Sequence, residues 1–297
     1  MWLGEKRGQL VDWLTQRWVQ FSGRRVDLAD WPWLAGPVGS TLGIGPAYYE
    51  SLAESQQLRL QTGPAGLMRR FSDLAGPGFD PTRIDHRIVH FYESTSIYRL
   101  DAWSHWCGAF RPFGWLLAAI FSRRLQQLNI PLSSLDGSKG LDSRIVELVD
   151  PATGSVRHVG WIRELRSTKR VAYVGDYSIV QIPGHHGPCV RVVFPLPNGN
   201  ATVILRPEAR PDGSLVLHSS GQRFGDPGFY FVVRQGDEAW SRYIPTMRES
   251  LHVYVEGGEL HTDHFFRIFG VRYLALHYRL LPDNLAHSRG AAVSGIR

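Results

Sequence analysis

The sequence predicts an α+β protein, a helical N-terminal part packed on a large curled antiparallel β-sheet or partly closed barrel. Three observations predict it. From residue 143 onward the apolar residues recur with a period of two, the mark of strands with two different faces. The connectors between those runs (151–154, 198–199, 212–213, 226–228, 236–237 and 257–258) are short and built of turn residues. They cannot hold crossover helices, so neighbouring strands run antiparallel. Nine or ten strands in series then predict strong curling or closure, because open twisted sheets of that size rarely stay flat. Ahead of this half, by contrast, apolar residues recur at helical spacing.

Residues 1–85 read as a helical and loop-rich region. Leu10, Trp13, Leu14, Trp18 and Phe21 give an amphipathic helix over 9–21. Its polar side carries Asp12, Thr15, Gln16 and Arg17, and a lipid-surface helix is richer in Lys and Arg. Docking on the body of the protein is therefore favoured over peripheral membrane contact. Residues 31–46 are dense in Gly and Pro and form a loop. Gly43-Ile44-Gly45 lacks the preceding strand and the following Lys-Ser/Thr of a phosphate loop. Two shorter helices are predicted over 47–58 and 65–74, and 75–83 makes a break.

A second region, 86–284, opens with a short helix in HRIVHFYEST and a strand over 96–103. Phe113, Leu116, Leu117, Ile120, Phe121, Leu125 and Leu128 form an apolar stripe on a predicted helix over 113–128, suited to lie across a sheet. Strands are predicted near 144–149, 156–165, 171–182, 189–196, 201–207, 215–219, 229–234, 250–255, 259–269 and 271–280. Asn198-Gly199 predicts a type I′ hairpin turn, with positive φ at both residues. On the strand before it, Val190, Val192 and Phe194 share one face, while Arg191 and Val193 share the other. Residues 285–297 carry no packing pattern and are expected to be mobile.

Across about 86–281 the chain resembles the C-terminal region of the YndJ-like proteins, an uncharacterised bacterial family. The carriers are HFYESTSIYRLDAW, RPFGWLLAAIFSRRLQQLNIPL, VAYVGDYS, FPLPNGNATVILRP and FFRIFGVRYLALHYR. The resemblance implies no known activity and transfers no functional residue. Members often carry a membrane-embedded N-terminal part. This sequence offers no equivalent, and membrane attachment is not carried over.

Composition narrows the function classes. Of 297 residues 43% are hydrophobic, which is globular rather than disordered. Aromatic residues are 12% with ten Trp, which suggests broad apolar surfaces or a ligand cavity. The net charge of +6 is spread out, and its densest runs are the pairs Arg24-Arg25, Arg69-Arg70 and Arg123-Arg124. No nucleic-acid partner is therefore expected. Cys107 and Cys189 stand far apart in apolar runs, as buried free thiols rather than a disulfide framework or zinc site. The first residues are charged throughout and lack the apolar core of a signal peptide. The longest apolar run, 113–121, is too short to span a bilayer. The expectation is a cytoplasmic protein with no transmembrane segment.

No motif fixes a reaction. His261 and Asp263 share a strand face, but His264 points away, and a third ligand would have to come from His252 or His277. Neither a metal nor a cofactor is expected. His185-His186 reads as an exposed turn pair, and no G-x-S-x-G elbow is present. His105 lies two residues from Cys107, a spacing that does not by itself make a nucleophile. Asp176 lies inside a strand and needs solvent or a partner, such as Arg191 or Arg206. The expected function is the binding of an apolar small molecule in the concavity of the sheet. Tyr98, Trp103, Asp176, Tyr177, His264 and Tyr278 are the candidate lining residues. Two alternatives stay open. One is an enzyme on the same scaffold, with Asp176 or His264 as acid/base. The other is a structural or membrane-peripheral protein that uses an exposed Trp13/Trp18 helix.

Overall fold

A computed structural model describes residues 10–39, 44–45, 47–107, 141–166 and 171–282. The predicted helix over 113–128 and the C-terminal tail lie outside these residues. Three α-helices are present among them: α1 (Leu10–Ser22), α2 (Tyr48–Gln56) and α3 (His86–Glu93). Three short strands complete the N-terminal half: β1 (Arg24–Val26), β2 (Arg59–Thr62) and, after α3, β3 (Tyr98–Trp106). The rest is strand: β4 (Leu141–Val149), β5 (Val156–Leu165), β6 (Val171–Val180), β7 (Cys189–Leu196), β8 (Gly199–Ala209), β9 (Leu215–His218), β10 (Phe229–Gln235), β11 (Glu238–Tyr243), β12 (Met247–Glu256), β13 (Glu259–Ile268) and β14 (Val271–Pro282).

All strand pairs are antiparallel, and ten strands close into a barrel. Its order is β8-β7-β6-β5-β4-β3-β14-β13-β12-β9, and β9 returns to pair with β8 from Arg206↔His218 to Ala209↔Leu215. The fold is therefore mostly antiparallel β, and the α+β expectation overweighted the helices. β8 is shared between two neighbours. Its first half pairs with β10, which in turn pairs with β11 and through it β1, and its second half closes the barrel. The narrowest seam is β3–β4, paired only at Leu100↔Leu141. β1 and β2, from the N-terminal region, add to β11 and β4.

Two sequence-based expectations are corrected. Residues 65–74 do not form an α-helix; only Phe71–Leu74 makes a 3-10 turn. The apolar residues Leu67, Met68, Phe71 and Leu74 are buried as the pattern demands. Their backbone donors, however, are taken by α3: Met68 N–H donates to the Tyr92 carbonyl at 3.1 Å and Phe71 N–H to the Glu93 carboxylate at 2.6 Å. An intrahelical ladder has no donors left to use there. The β7–β8 turn is not type I′ either. Leu196 pairs with Gly199, so Pro197 and Asn198 are the central residues, and Asn198 alone has positive φ, at 57°. Proline holds φ near −65° and forbids the primed turn at the first position. Gly199 is needed for another reason. A Cβ there would sit 2.0 Å from the Val232 carbonyl of β10.

The barrel wall is mostly apolar inside; its outer face is apolar where α2 and residues 31–34 cover it and polar along much of β12–β14. Along β12–β14 the inward positions hold Leu251, Val253, Thr262, Leu276 and Leu280. The alternating outward positions hold His252, Tyr254, His261, Asp263, His277 and Arg279. Helices stand at both ends. α1 sits at the end of the β7–β8 turn, where Gln16 donates to the Pro197 carbonyl at 3.0 Å. α3 sits at the opposite end, where Asp85, its N-cap, takes its own N–H to the Gly213 carbonyl at 2.9 Å. No helix among the described residues is long and apolar enough to cross a membrane.

Candidate functional site

The wall encloses a cavity of about 650 Å³ to which all ten barrel strands contribute. α1 lines one end through Thr15, Trp18 and Val19, and Leu67, Phe91 and Tyr92 line the other. The hairpin β7–β8 supplies Val190, Val192, Phe194, Ala201, Val203 and Leu205, the inward set that its alternation predicts.

Within this mostly apolar wall a polar cluster forms around Arg163. Trp161 and Arg163 project from the same face of β5. The Arg163 guanidinium lies 3.5 Å from the centre of the Trp161 ring, 4.8 Å from that of Tyr173 and 5.3 Å from that of Tyr278. The Tyr173 and Tyr177 hydroxyls are hydrogen-bonded at 2.8 Å. Burial pushes the Tyr173 and Tyr278 phenols up, and the Tyr177 phenol up to about 12, with Arg163 opposing the shift in each case. All three phenols are therefore neutral hydrogen-bonding groups at ordinary pH. Near this cluster Glu249 of β12 binds His264 of β13, Oε1 to Nε2 at 2.6 Å, and the His264 and Tyr278 ring centres are 6.5 Å apart. The His264 ring lies against Phe266, with centroids 4.1 Å apart.

The structure brings Tyr177, His264 and Tyr278 together on the cavity wall. It does not bring the other sequence-predicted residues there in the same way. Trp103 touches the rim, but it alternates outward from Ala102 and is 39% exposed. Tyr98 faces inward yet lies beneath α3, its hydroxyl 2.8 Å from His90 Nδ1 and its ring against Phe91. Asp176 faces outward. Successive strand residues point to opposite faces, so Asp176 and Tyr177 cannot share a cavity. Asp176 is fully buried under α2 and pairs with His158 Nδ1 at 3.0 Å. Neither arginine proposed as its partner is ion-paired with it directly, although the Asp176 charge favours the buried Arg191 cation. Arg191 donates to Ser178 Oγ and the Ala35 carbonyl, and Arg206 donates to His218.

Sequence reasoning missed Trp161, Arg163, Tyr173 and Glu249. A signal was available. Val159, Trp161, Arg163 and Leu165 alternate along β5, which places a single Arg among apolar residues. Glu249 lies just before the predicted strand 250–255, whereas β12 begins at Met247.

The comparisons with known proteins add family context. The chain is similar to a protein of Bacillus subtilis (strain 168) called "Uncharacterized membrane protein YndJ". The two are 28% identical over 222 residues, which is 74% of this chain and 39% of that relative. The match bears out the YndJ-like resemblance drawn from the sequence. The chain spans less than half the length of this relative, and the relative's name assigns no ligand or reaction. No family model matches the chain. No solved structure matches it.

The remaining site expectations concern nucleophiles and metals. Burial holds the Cys189 thiol up at about 12, which makes it a poor nucleophile. His261 and Asp263 point outward and His264 inward, and Asp263 is bound to His277 at 2.6 Å. Among the described residues no group of three His, Cys, Asp or Glu side chains has the geometry of a metal site.

Proposed function

We propose that this protein binds an apolar small molecule inside the barrel. The observation that carries this reading is the cavity of about 650 Å³, walled by aliphatic and aromatic side chains from all ten strands. Its volume falls within the roughly 300–1,000 Å³ range of small-molecule sites. The polar outer face of β12–β14 supports a barrel that meets water there. That stretch, with an apolar inner face, differs from the apolar-out, polar-in arrangement of a barrel in lipid.

The reading is tested by native mass spectrometry of the protein as purified, followed by titration with the dye 8-anilinonaphthalene-1-sulfonate. A retained small molecule or saturable dye binding is expected, and Ala201→Trp, which fills the cavity, abolishes both. No retained mass and no saturable binding would overturn it.

A second reading, an enzyme on this scaffold, has one observation in its favour. The Glu249–His264 pair faces the cavity and has the form of an oriented general base. It predicts that His264→Ala protein retains a molecule of different mass from the wild type, the unconverted substrate. Identical retained masses would remove it.

A further inference from the structure

We propose that Arg163 is the anchor for an anionic head group, and that the ligand is an amphiphile whose apolar chain fills the barrel. The proposal rests on the cavity-binding reading above and narrows its ligand class.

An arginine inside an apolar cavity needs an explanation, because an unpaired charge taken out of water is costly. Among the described residues no carboxylate lies within salt-bridge distance of Arg163, and its Nε is buried without a hydrogen-bond acceptor. The cation is held instead by aromatic faces. Trp161 lies 3.5 Å from the guanidinium, and Tyr173 and Tyr278 stand at its sides. Stacking uses the face of the guanidinium and leaves its edge. That edge carries five N–H donors in a fixed fork, of which the Tyr278 hydroxyl engages part. A carboxylate or phosphate is the partner whose geometry fits such a fork, through two parallel hydrogen bonds.

Two neighbours complete the site. The linked hydroxyls of Tyr173 and Tyr177 supply a further donor beside the cation. Glu249 is the acid that would compete for Arg163, and it is instead bound to His264 at 2.6 Å. Beyond this cluster the wall is Val190, Val192, Val203, Leu217, Leu251 and Leu276, which fits a hydrocarbon chain.

The experiment is a head-group series on the full chain: dodecanoate, dodecyl phosphate and dodecanol, measured by calorimetry and by displacement of the dye. The expected result is that one or both anions bind about tenfold to a hundredfold more tightly than dodecanol. The stronger anion identifies carboxylate or phosphate as the natural head. Arg163→Met brings the anions down to the level of dodecanol and leaves dodecanol binding unchanged. Glu249→Gln, which removes the competing charge, tightens the anions by a few-fold. Equal binding of all three ligands to wild-type protein overturns the role of Arg163 while the cavity reading stands. Binding of none overturns both. The wild-type series decides the matter even if a variant fails to fold.

Discussion

Two acid–histidine pairs sit on opposite faces of the same barrel wall. Asp176–His158 faces outward and Glu249–His264 faces inward, at 3.0 Å and 2.6 Å. The two histidines are equally buried, with 14% and 15% of the side chain exposed. What differs is how far each pair is saturated. The second nitrogen of His158 is bonded to Gln56 Oε1 at 3.1 Å, which ties the pair to the end of α2. Tyr49 of α2 donates to the Gly175 carbonyl at 2.9 Å, and its ring lies over Gly160, the residue directly opposite Asp176. The outer pair is thus covered by α2 and bonded at both His158 nitrogens. The inner pair uses one nitrogen of His264, and its surroundings are aromatic rings and cavity. Distance alone would not separate a pair that fastens a helix from one placed to meet a ligand; the groups around each pair do.

The largest effects are expected on the outer pair. Asp176→Ala leaves His158 without its acid inside a closed site and should cost about 3 kcal/mol. Gly160→Ala drives a Cβ to within 2.3 Å of the Tyr49 ring and should cost about 1–3 kcal/mol by overpacking. Both are read from urea denaturation midpoints, and neither should change dye binding in the cavity. Loss of dye binding at unchanged stability in Asp176→Ala would reverse the assignment of the two pairs.

The inner cluster should respond the other way. Glu249→Gln and His264→Ala are expected to shift stability by less than about 1 kcal/mol, because cavity space accepts the change. Their effect should appear in ligand binding. Arg163→Met should leave the melting temperature unchanged or raise it, since a charge held without a carboxylate is replaced by an apolar chain of similar length. A melting temperature lowered by more than about 5 °C would mean that the aromatic stack on Arg163 is a structural element of the wall.

The sequence revealed the barrel more fully than its contents. Alternation and short turns are local properties, so the antiparallel strands from β4 onward were legible except β11, as was the inward set Val190, Val192 and Phe194. Closure was left open because it depends on β8, which pairs with β10 over one half and with β9 over the other. No local pattern encodes that division. β1 and β2 are three and four residues long and lie in the loop-rich N-terminal region, and neither they nor the six-residue β11 were read as strands. At the site, Tyr177 and Asp176 were both read as lining residues, although period two allows only one of them. Which face was inside depended on where α2 docks, and the Tyr49–Gly160 contact that settles it joins positions over a hundred residues apart.

A third histidine gives the smallest and most specific test of the contrast between the faces. His218 lies on the outer side of the closing β8–β9 pair, where its Nε2 accepts from Arg206 at 2.9 Å and lies 3.5 Å from Glu208. Burial holds its pKa below the usual imidazole value, Arg206 and Arg210 add to the depression, and Glu208 opposes it. The unfolded chain therefore takes up this proton more readily than the folded one. Stability from the neutral ring is fully present above the usual imidazole pKa and is lost as the pH falls through the lower folded value. Melting temperatures measured from about pH 8 to about pH 5 should decline on the acid side. In His218→Gln, which keeps an acceptor for Arg206 but cannot titrate, that decline should be shallower. Because the seam closes the barrel, acid should weaken ligand retention along with stability in the wild type. If His218→Gln follows the wild-type pH profile throughout, the acid sensitivity belongs to other groups and the closing seam is indifferent to pH.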